Sequence, residues 1–428
     1  MMNDQELIPR LFRTEYRKIV AVLTRHFGVG HMEIAEDIAG ETFLLASEIW
    51  GLKGLPGNPT AWLYAVAKNK TKDHLKHNAV FFRNVVPQMQ ANRGMEEEFD
   101  IDLSARNIND SQLAMIFAVC HPCITQEAQI GLALNILCGF GAEEIAAAFL
   151  TSRDAIYKRL QRAKETLRNN DIRLESPTPL EVEQRLDTVL MTLYLLYNEG
   201  YYSGSQEQTI RAEFCTEAMH LTKMLIDHQP TNTPDVNALF SLMCFQSSRL
   251  AARTDENGEA VLYVDQDASL WDEELIGNGK YYLDQALSGS RLSRYQLEAA
   301  IAFWHTQRDD THEKWDNILQ LYNKLLMIEY SPVVALNRTY ALAMANSKEE
   351  AIAEAEKISL KGYPLYHALL GKLYSDIDNA KAIEHYRTGQ KLARSQAEWR
   401  SMEKEIAALT GNLPCQEVPE LNNRSRKR

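Results

Sequence analysis

The chain has 428 residues with a formal net charge of −12, and 45% of its residues are hydrophobic. This length is sufficient for about two to four domains with large cores, and six scattered cysteines argue against a disulfide scaffold and for a reducing compartment. The polar N-terminus lacks the apolar core of a signal peptide, and no segment has eighteen consecutive apolar residues, so we expect a soluble cytoplasmic protein.

The acidity lies mostly in the C-terminal part of the chain. Residues 1–170 contain 19 Lys and Arg against 20 Asp and Glu, whereas the other 258 residues contain 27 against 38. The net balance is therefore −1 in the first part and −11 in the second. A nucleic-acid binding role thus remains open for the near-neutral first part, where basic side chains cluster on local faces.

Two amphipathic helices are predicted at the start of the chain. Residues 7–27 have apolar side chains at helical spacing, and two glycines end the pattern. His31–Trp50 forms the second helix. The carboxylates on its polar face, which has no Lys or Arg, are Glu33, Glu36, Asp37, Glu41 and Glu48. Such a face is usually a solvated surface, and it is equally suited to docking a basic or helical partner.

A third helix with a basic side follows the Gly- and Pro-rich loop Gly51–Pro59. It begins at Pro59 and Thr60. Its two aromatic residues and the four lysines near them are Trp62, Tyr64, Lys68, Lys70, Lys72 and Lys76. Because aromatic rings stack on bases and ammonium groups meet phosphates, this pattern suits single-stranded or unstacked DNA. It equally fits aromatic side chains in the core with lysines in water.

Residues 80–111 are predicted to be a linker, because acidic residues, asparagines and a glycine interrupt the apolar pattern. Two apolar helices follow in residues 112–139, divided by a His-Pro pair. Gly141–Leu167 then indicates two helices joined by a short turn, in which Thr151 and Ser152 offer an oxygen cap to the second helix.

The second helix of this pair has one apolar face and a basic remainder. Apolar side chains recur at spacings of four, three and four residues, at Ile156, Leu160, Ala163 and Leu167. The helix has two acidic side chains, Asp154 and Glu165. It has six basic ones: Arg153, Lys158, Arg159, Arg162, Lys164 and Arg168. A helix-turn-helix with a basic second helix fits the major groove of DNA, although a helical hairpin with a solvated basic face gives the same pattern.

Residues 5–170 resemble a sigma factor of the sigma-70 family, extracytoplasmic-function type. The segment AEDIAGETF at Ala35–Phe43 is similar to the region 2 helix that docks on the polymerase clamp. The segment NPTAWLYAVAKNKTKDHLK at Asn58–Lys76 resembles the helix that opens the promoter and reads the minus-ten element. Gly141–Arg168 resembles the region 4 helix-turn-helix that reads the minus-thirty-five element. Three motifs in this order are more specific than any one of them.

The resemblance implies that Glu36, Asp37 and Glu41 face the polymerase clamp. On the third helix it implies DNA contacts for the residues that match the family's AWLxxVARNxxxD pattern and for one further lysine: Trp62, Lys68, Asn69, Asp73 and Lys76. Lys68 stands where the family has arginine, which keeps the charge but loses the planar fork. The loop Gly51–Pro59 corresponds to the place where family members capture a flipped base in a pocket.

In the helix-turn-helix, the resemblance implies DNA contacts for Arg153, Tyr157, Lys158, Arg159, Gln161 and Arg162. Arg159 and Arg162 match the family's RxxRA pattern and are expected mainly on phosphates, which position the helix. Arg153, Lys158 and Gln161 lie near the start of the helix or on its open side, and they are the expected base readers.

The chain beyond the polar joint at residues 175–179 is predicted to be helical, and its last helix pairs resemble a tetratricopeptide repeat. The residues that carry this resemblance are Ala368, Gly371, Leu373, Tyr374, Ala382, Ile383, Tyr386 and Arg387. Arg185–Ser203, Leu250–Asp272 and Tyr295–Ala302 resemble a subgroup of these sigma factors that has a C-terminal tetratricopeptide-like extension. Stacked helix pairs bury a continuous core and leave a groove for a peptide or another domain.

The predicted fold is therefore all-α, with a sigma region 2 bundle, a region 4 helix-turn-helix domain and a tetratricopeptide-like solenoid. The predicted boundaries are 1–79 for region 2, 80–111 for the linker, 112–175 for region 4, 176–414 for the extension and 415–428 for a flexible tail.

Two clusters suggest metal or acid–base chemistry without the spacing that it requires. Asp265, Asp267 and Asp272 lack a glycine-centred calcium loop, so helix caps or polar contacts are expected there. Cys120 and Cys123 have no second ligand pair for zinc, so buried thiols at a helix end are expected. We expect no catalytic residue, no cofactor and no metal.

The sequence thus predicts a non-enzymatic initiation factor that binds core RNA polymerase and promoter DNA. A helix-turn-helix regulator that does not engage polymerase and a pure repeat scaffold are the alternatives. The extension is expected to bind a protein partner or, through its acidity, to fold back on the basic DNA-facing helices and inhibit them. This interpretation requires two separate modules in residues 1–170, joined by a pliable tether.

Overall fold

The protein is all-α wherever the structure describes it, as the sequence predicts. The structure, a computed structural model, describes residues 4–85, 101–149, 151–170, 172, 174–201, 212–253, 261, 263–288, 292–393 and 396–411. These residues form eighteen α-helices and no β-strand, and none of their helices has the length and apolar character needed to cross a bilayer. The chain divides into two compact units, one of residues up to Leu196 with Asp227–Thr231, and the other of Tyr197–Ile226 and the residues from Asn232 onward.

The first unit is built from the first eight helices. Their bounds are α1 Asp4–Phe27, α2 Met32–Lys53, α3 Pro59–Val85, α4 Ala105–Val119, α5 Gln126–Leu132, α6 Ala142–Ala148, α7 Arg153–Asn169 and α8 Pro179–Tyr201. The last five residues of α8, from Tyr197 onward, belong to the second unit. α1 packs on both α2 and α4, and its side chains Ile19, Val20 and Leu23 are fully buried. One amphipathic helix therefore joins the core of residues 1–79 to that of residues 112–175.

The expectation of two separate modules in residues 1–170 is accordingly wrong for this structure. It failed because helical spacing shows that a side chain is buried without showing which neighbour buries it. Arg25 Nη1 of α1 also donates to Asn107 Oδ1 of α4 at 3.4 Å. The lysine-rich side of α3 nevertheless stays accessible, since Lys76 is exposed and Lys68 is half-exposed.

The predicted linker of residues 80–111 is also corrected at both of its ends. α3 continues to Val85, and α4 begins at Ala105, where the Ser104 hydroxyl accepts a hydrogen bond from the Asn107 amide. Ile108 lies buried within α4. A serine cap and buried apolar residues outweigh the weak helix propensity of the asparagines. Residues 86–100, the middle of the predicted linker, lie outside the described residues.

The predicted boundary at residue 176 lies too early, because most of α8 belongs to the first unit. Arg185 of α8 donates through Nη2 to the Phe117 carbonyl, and its guanidinium lies 5.6 Å from the centre of the Phe117 ring. The Thr192 hydroxyl donates to Gln129 Oε1 at 3.0 Å. The Ser-Pro-Thr-Pro joint therefore separates two helices of one unit.

The second unit consists of consecutive helices that pack on their neighbours. They are α9 Ala212–Asp227, α10 Pro234–Ser247, α11 Glu273–Ala286, α12 Arg294–Trp304, α13 His312–Ile328, α14 Pro332–Ala345, α15 Lys348–Ala355, α16 Pro364–Tyr374, α17 Asn379–Leu392 and α18 Gln396–Thr410. From α13 onward each helix packs on the next, an order compatible with stacked pairs. The predicted flexible tail of residues 415–428 lies outside the described residues.

Candidate nucleic-acid and polymerase interfaces

α6 and α7 form the helix-turn-helix that the sequence predicts. The Ser152 hydroxyl caps α7 by accepting a hydrogen bond from the Ala155 amide at 3.2 Å. The buried residues of α7 are Ile156, Leu160, Ala163 and Leu167, which confirms the predicted apolar stripe. α5 and α6 both pack on α7, as does the short helical turn Val29–His31 that precedes α2. The stripe therefore faces the interior of the unit, and other sides of α7 stay exposed.

The predicted DNA contacts of α7 lie mainly on these remaining sides. The exposed members of the set are Arg153, Tyr157, Lys158, Gln161 and Arg162. Tyr157 is 63% exposed. A spacing of four residues places Arg153, Tyr157 and Gln161 in one row along the helix. These exposed side chains therefore form a polar, partly basic strip along α7.

Arg159 differs from the rest of the α7 set. It is half-buried and lies close to Glu127 of α5. The pKa of the Glu127 carboxyl is lowered first by its own backbone amide, then by a hydrogen bond from Thr125, and to a smaller extent by Arg159. Arg159 therefore has an acidic neighbour within the helix-turn-helix unit.

The residues predicted on α3 fall into two groups. Asn69, Asp73 and Lys76 are exposed, as a DNA-facing side requires. Trp62 is half-buried, and its ring packs edge-on against Trp50 of α2 with the ring centres 5.3 Å apart. Only part of the Trp62 ring is therefore available to stack on a base.

Lys68 is half-exposed and lies near the segment that leads into α4. The pKa of Asp102 in that segment is lowered by hydrogen bonds from the amide and hydroxyl of Ser104, with a smaller contribution from Lys68. A predicted DNA-binding lysine of α3 thus has a carboxylate neighbour from the α4 side of the same unit.

The acidic face of α2 has the three residues predicted to bind polymerase. Asp37 and Glu41 are exposed, and Glu36 is half-buried. Lys70 Nζ of α3 donates to Glu41 Oε2 at 2.7 Å. The Glu41 carboxylate remains largely in water, where an ion pair of this kind contributes little to stability.

The sequence interpretation missed Leu44, whose side chain is 61% exposed on the same side of α2. Leu44 follows Asp37 and Glu41 at spacings of seven and three residues, which places it on their face of the helix. An apolar residue within an otherwise acidic face was the available signal. Contiguous apolar patches rimmed by polar residues mark protein-binding surfaces, whereas a single exposed leucine is common.

α7 contacts this acidic face of α2 directly. Lys164 Nζ lies 2.6 and 2.7 Å from the two carboxylate oxygens of Glu36. One turn further along α7, Arg168 Nη2 lies 3.8 Å from Glu33 Oε1. The chain just before α2 is close as well, since a Cβ atom on Gly30 would lie 3.5 Å from Arg168 Cγ. The helix predicted to read DNA and the helix predicted to bind polymerase thus share an electrostatic contact.

The two clusters that suggest metal chemistry have structural roles instead. Asp267 accepts from the Ser269 amide at 2.8 Å, and Asp272 caps α11 by accepting from the Leu275 amide at 3.0 Å, which confirms the expected helix caps. Cys120 is fully buried at the end of α4, and burial raises the pKa of its thiol to about 12. Within the described ranges, no three His, Cys, Asp or Glu side chains are grouped as metal ligands.

Comparison with known proteins places these helices in a family. Residues 11–80, from within α1 to within α3, match the family described as Sigma-70 region 2. The first part of the chain is a sigma-70 region 2. Residues 185–287 match a family of unknown function, DUF6596. An uncharacterized protein of Rhizobium meliloti (strain 1021) is 32% identical over 385 residues, which are 89% of this chain and 90% of that protein.

The chain belongs to the same family as this rhizobial protein, since the similarity extends over nearly the whole of both chains. No solved structure matches the chain. The sigma-70 region 2 contains the acidic face of α2 and the basic side of α3, whereas the DUF6596 match begins in the first third of α8 and ends just after α11. α7 lies between the two matched segments.

Proposed function

We propose that this member of the sigma-70 family is an extracytoplasmic-function type sigma factor, and that it binds core RNA polymerase and directs promoter recognition and opening. The observation that supports this most strongly is the combination, in one compact unit, of a sigma-70 region 2 and a helix-turn-helix whose second helix exposes basic and polar residues. A conventional regulator that does not bind polymerase needs the helix-turn-helix. It does not account for the acidic face of α2 with its exposed Leu44.

In this proposal α2 binds the polymerase clamp through Glu36, Asp37 and Glu41, and Leu44 adds an apolar contact. α3 binds the opened minus-ten strand. The residues assigned there are Trp62, Lys68, Asn69, Asp73 and Lys76. The segment Gly51–Pro59, of which residues 54–58 form the loop between α2 and α3, is assigned as the pocket for a flipped base. RNA synthesis remains the chemistry of the polymerase, so the protein needs no catalytic group, metal or cofactor of its own, and its place of action is the cytoplasm.

α7 is assigned to the minus-thirty-five element as the region 4 recognition helix. Arg153, Lys158 and Gln161 read base edges, and Tyr157 lies in the same row. Arg162 binds a phosphate, and Arg159 is assigned a phosphate contact beside its acidic neighbour Glu127. Such phosphate contacts orient the helix on the duplex and make its affinity dependent on salt.

The second unit is proposed to regulate this activity or to bind a protein partner as a tetratricopeptide-like solenoid. The sequential packing of α13–α18 and the acidic balance of residues 171–428 support this assignment. A pure scaffold is the competing function, and it predicts no dependence on DNA.

Reconstitution with core polymerase and promoter fragments tests the proposed function. We expect open complexes that form only when the protein, core polymerase and a cognate promoter are all present. Tight binding to duplex DNA without polymerase supports the conventional regulator instead. The absence of any polymerase- or DNA-dependent activity supports the scaffold.

Arg162→Ala tests the phosphate assignment within the initiation complex. Promoter affinity should fall on all sequences alike, and the slope of log affinity against log salt should decrease by about 1, because one fewer counterion is released. Arg106→Ala is the charge-matched control, since Arg106 is an exposed residue of α4 outside the proposed interfaces. An unchanged salt slope in Arg162→Ala would remove Arg162 from the phosphate contacts.

A further inference from the structure

We propose that the cavity between α4, the start of α8 and the segment that joins α7 to α8 binds a small uncharged molecule with a flat apolar body and an amide-like edge. The cavity has a volume of about 250 Å³. A cavity of about 150 Å³ holds one benzene molecule, so this one accommodates a molecule of about ten non-hydrogen atoms. The cavity lies outside the proposed polymerase and DNA interfaces, and the inference does not depend on the proposed function.

Part of the cavity lining is apolar and belongs to one face of α4. Ala114, Phe117 and Ala118 follow one another at spacings of three and one residues, and each is 2% exposed. Ile172 and the buried Pro177 add to this lining from the segment after α7. The two alanines leave space next to an aromatic ring, and a flat apolar molecule can pack there.

Two nitrogen donors of the lining have no acceptor among the residues that the structure describes. Arg185 Nε is buried without a hydrogen-bond partner, although Nη2 of the same guanidinium donates to the Phe117 carbonyl. His121 Nδ1 accepts from the Cys123 amide at 3.2 Å, so the neutral ring carries its proton on Nε2. Burial, and then the charge of Arg185, lower the pKa of His121 and keep the ring neutral at pH 7. A buried donor without an acceptor is costly, and a ligand oxygen would remove that cost.

The charges of the lining favour an uncharged ligand over an ion. Glu175 and Glu181 line the cavity together with Arg185, and Arg185 Nη1 lies 3.7 Å from Glu181 Oε1. Two carboxylates against one guanidinium repel an anion. A cation would leave the donor nitrogens of Arg185 and His121 without an acceptor. A carboxamide meets both requirements, because its oxygen accepts from these donors and its amino group donates to a carboxylate.

Three probes of the same shape and different charge test the inference on the full chain. Benzamide is uncharged, benzoate is an anion and benzamidine is a cation, and all three carry a planar substituent of equal size on a benzene ring. Titrations followed by saturation-transfer NMR measure their dissociation constants. We expect benzamide to bind about threefold to tenfold more tightly than either ion, the difference that one hydrogen bond makes. Benzamide should also raise the temperature of thermal unfolding, because it binds the folded protein.

Two substitutions locate the binding at this cavity. In His121→Asn, the asparagine oxygen replaces Nδ1 as the acceptor for the Cys123 amide, but the Nε2 donor is lost. Arg185→Lys keeps the positive charge and lacks Nε. Benzamide should bind each variant about threefold to tenfold more weakly than it binds the wild type. His312→Asn replaces an exposed imidazole of α13 and should bind as the wild type does.

The possible results either support or overturn the site. Weaker benzamide binding by both cavity variants, with the helix content of each retained by circular dichroism, supports it. Absence of benzamide binding to the wild type overturns it. Binding of either ion as tightly as benzamide, or benzamide binding that is unchanged in both cavity variants, overturns it as well. None of these results affects the proposed function, which is measured by the formation of open complexes.

Discussion

A charged group lies almost fully buried in the second unit, and its neighbours explain how it is tolerated. The Lys314 side chain is 2% exposed, and its Nζ donates to the Tyr263 hydroxyl at 2.9 Å and to the Gln307 carbonyl at 3.0 Å. Asp310 Oδ1 lies 3.2 Å from the same nitrogen. A buried ammonium group is costly unless it is paired and hydrogen-bonded, and here both conditions are met.

His305 is the group in this region whose protonation should affect stability. Burial is the largest cause that lowers the pKa of its imidazole to about 3, and the nearby cations Arg249 and Lys314 contribute in the same direction. Between about pH 3 and the ordinary value near 6.5, the unfolded chain therefore binds a proton that the folded chain rejects. Stability consequently rises with pH across this window and is lost as the pH falls through it.

His305→Gln should make the stability of the second unit less dependent on pH. When the unfolded state binds one proton more than the folded state, the unfolding free energy changes by about 1.4 kcal/mol per pH unit. Below about pH 6 the slope of unfolding free energy against pH should therefore be smaller in the variant by up to this amount. Urea unfolding at several pH values measures it. His312→Gln removes an exposed imidazole of the same unit and should keep the wild-type slope. Equal slopes in all three proteins would contradict the burial argument.

Several of the important residues could be predicted from the sequence, and others could not. The stripe of α7 and the Ser152 cap follow from spacing and residue type alone, and both are confirmed. The Lys164–Glu36 pair joins residues 128 positions apart, and no local pattern encodes such a contact. Trp62 illustrates the same limit, since its pattern did not show that Trp50 would cover one side of its ring.

At the scale of elements, glycines determine how closely some helices approach. A Cβ atom on Gly279 of α11 would lie 2.6 Å from the Phe245 ring of α10, and one on Gly371 of α16 would lie 2.7 Å from the Tyr386 ring of α17. Both distances are shorter than a van der Waals contact. The repeat pattern correctly predicted that a small residue is needed at Gly371, where the two helices cross.

Two substitutions on α11 should have opposite effects for this reason. Gly279→Ala forces Phe245 out of its position and should destabilise the protein by about 1–3 kcal/mol, the usual cost of overpacking. Gly277→Ala on the same helix has no atom within 4 Å of the new methyl group, and it should stabilise by about 0.5–1 kcal/mol through helix propensity. Thermal unfolding compares the two. Equal effects would show that the α10–α11 distance relaxes freely.

Element boundaries were less predictable than element identity. α2 and α7 begin and end within a few residues of their predicted limits, because caps and glycines mark them. α18 has a weak apolar pattern of its own, since its buried residues Met402 and Ile406 are surrounded in the sequence by charged ones. Gly389 of α17 packs against Met402 of α18, so the helix is stabilised by tertiary contact more than by its own pattern.

At the scale of the whole molecule, the first unit extends beyond the sigma-like residues into α8. The sequence could not show this, because a Pro- and Ser-containing joint is compatible with both a domain boundary and a turn inside one unit. Arg185, with its Nη2 bonded to the Phe117 carbonyl, and Thr192, with its hydroxyl bonded to Gln129, supply the evidence.

Two truncated proteins should therefore behave differently. A chain of residues 1–175 loses both of these contacts and leaves the α4 surface uncovered, so it should be less stable than a chain of residues 1–201 by about 2 kcal/mol or more. Thermal unfolding of the two proteins measures this difference. Equal stability would place the boundary at residue 176 after all.

The longer fragment is also the better one for asking what the second unit does. Both proteins are compared in complex with core polymerase. If the acidic extension inhibits, residues 1–201 should bind promoter DNA more tightly than the full chain does. Loss of transcription by this folded fragment would make the extension a required positive element instead.

The Lys164–Glu36 contact has a consequence for reading substitutions in the first unit. Lys164 Nζ lies within hydrogen-bonding distance of both Glu36 oxygens, so replacing either residue also takes away the partner of the other. The effect of Glu36→Ala on polymerase binding therefore combines a change on α2 with a change on α7, and a double-mutant cycle with Lys164→Ala separates the two.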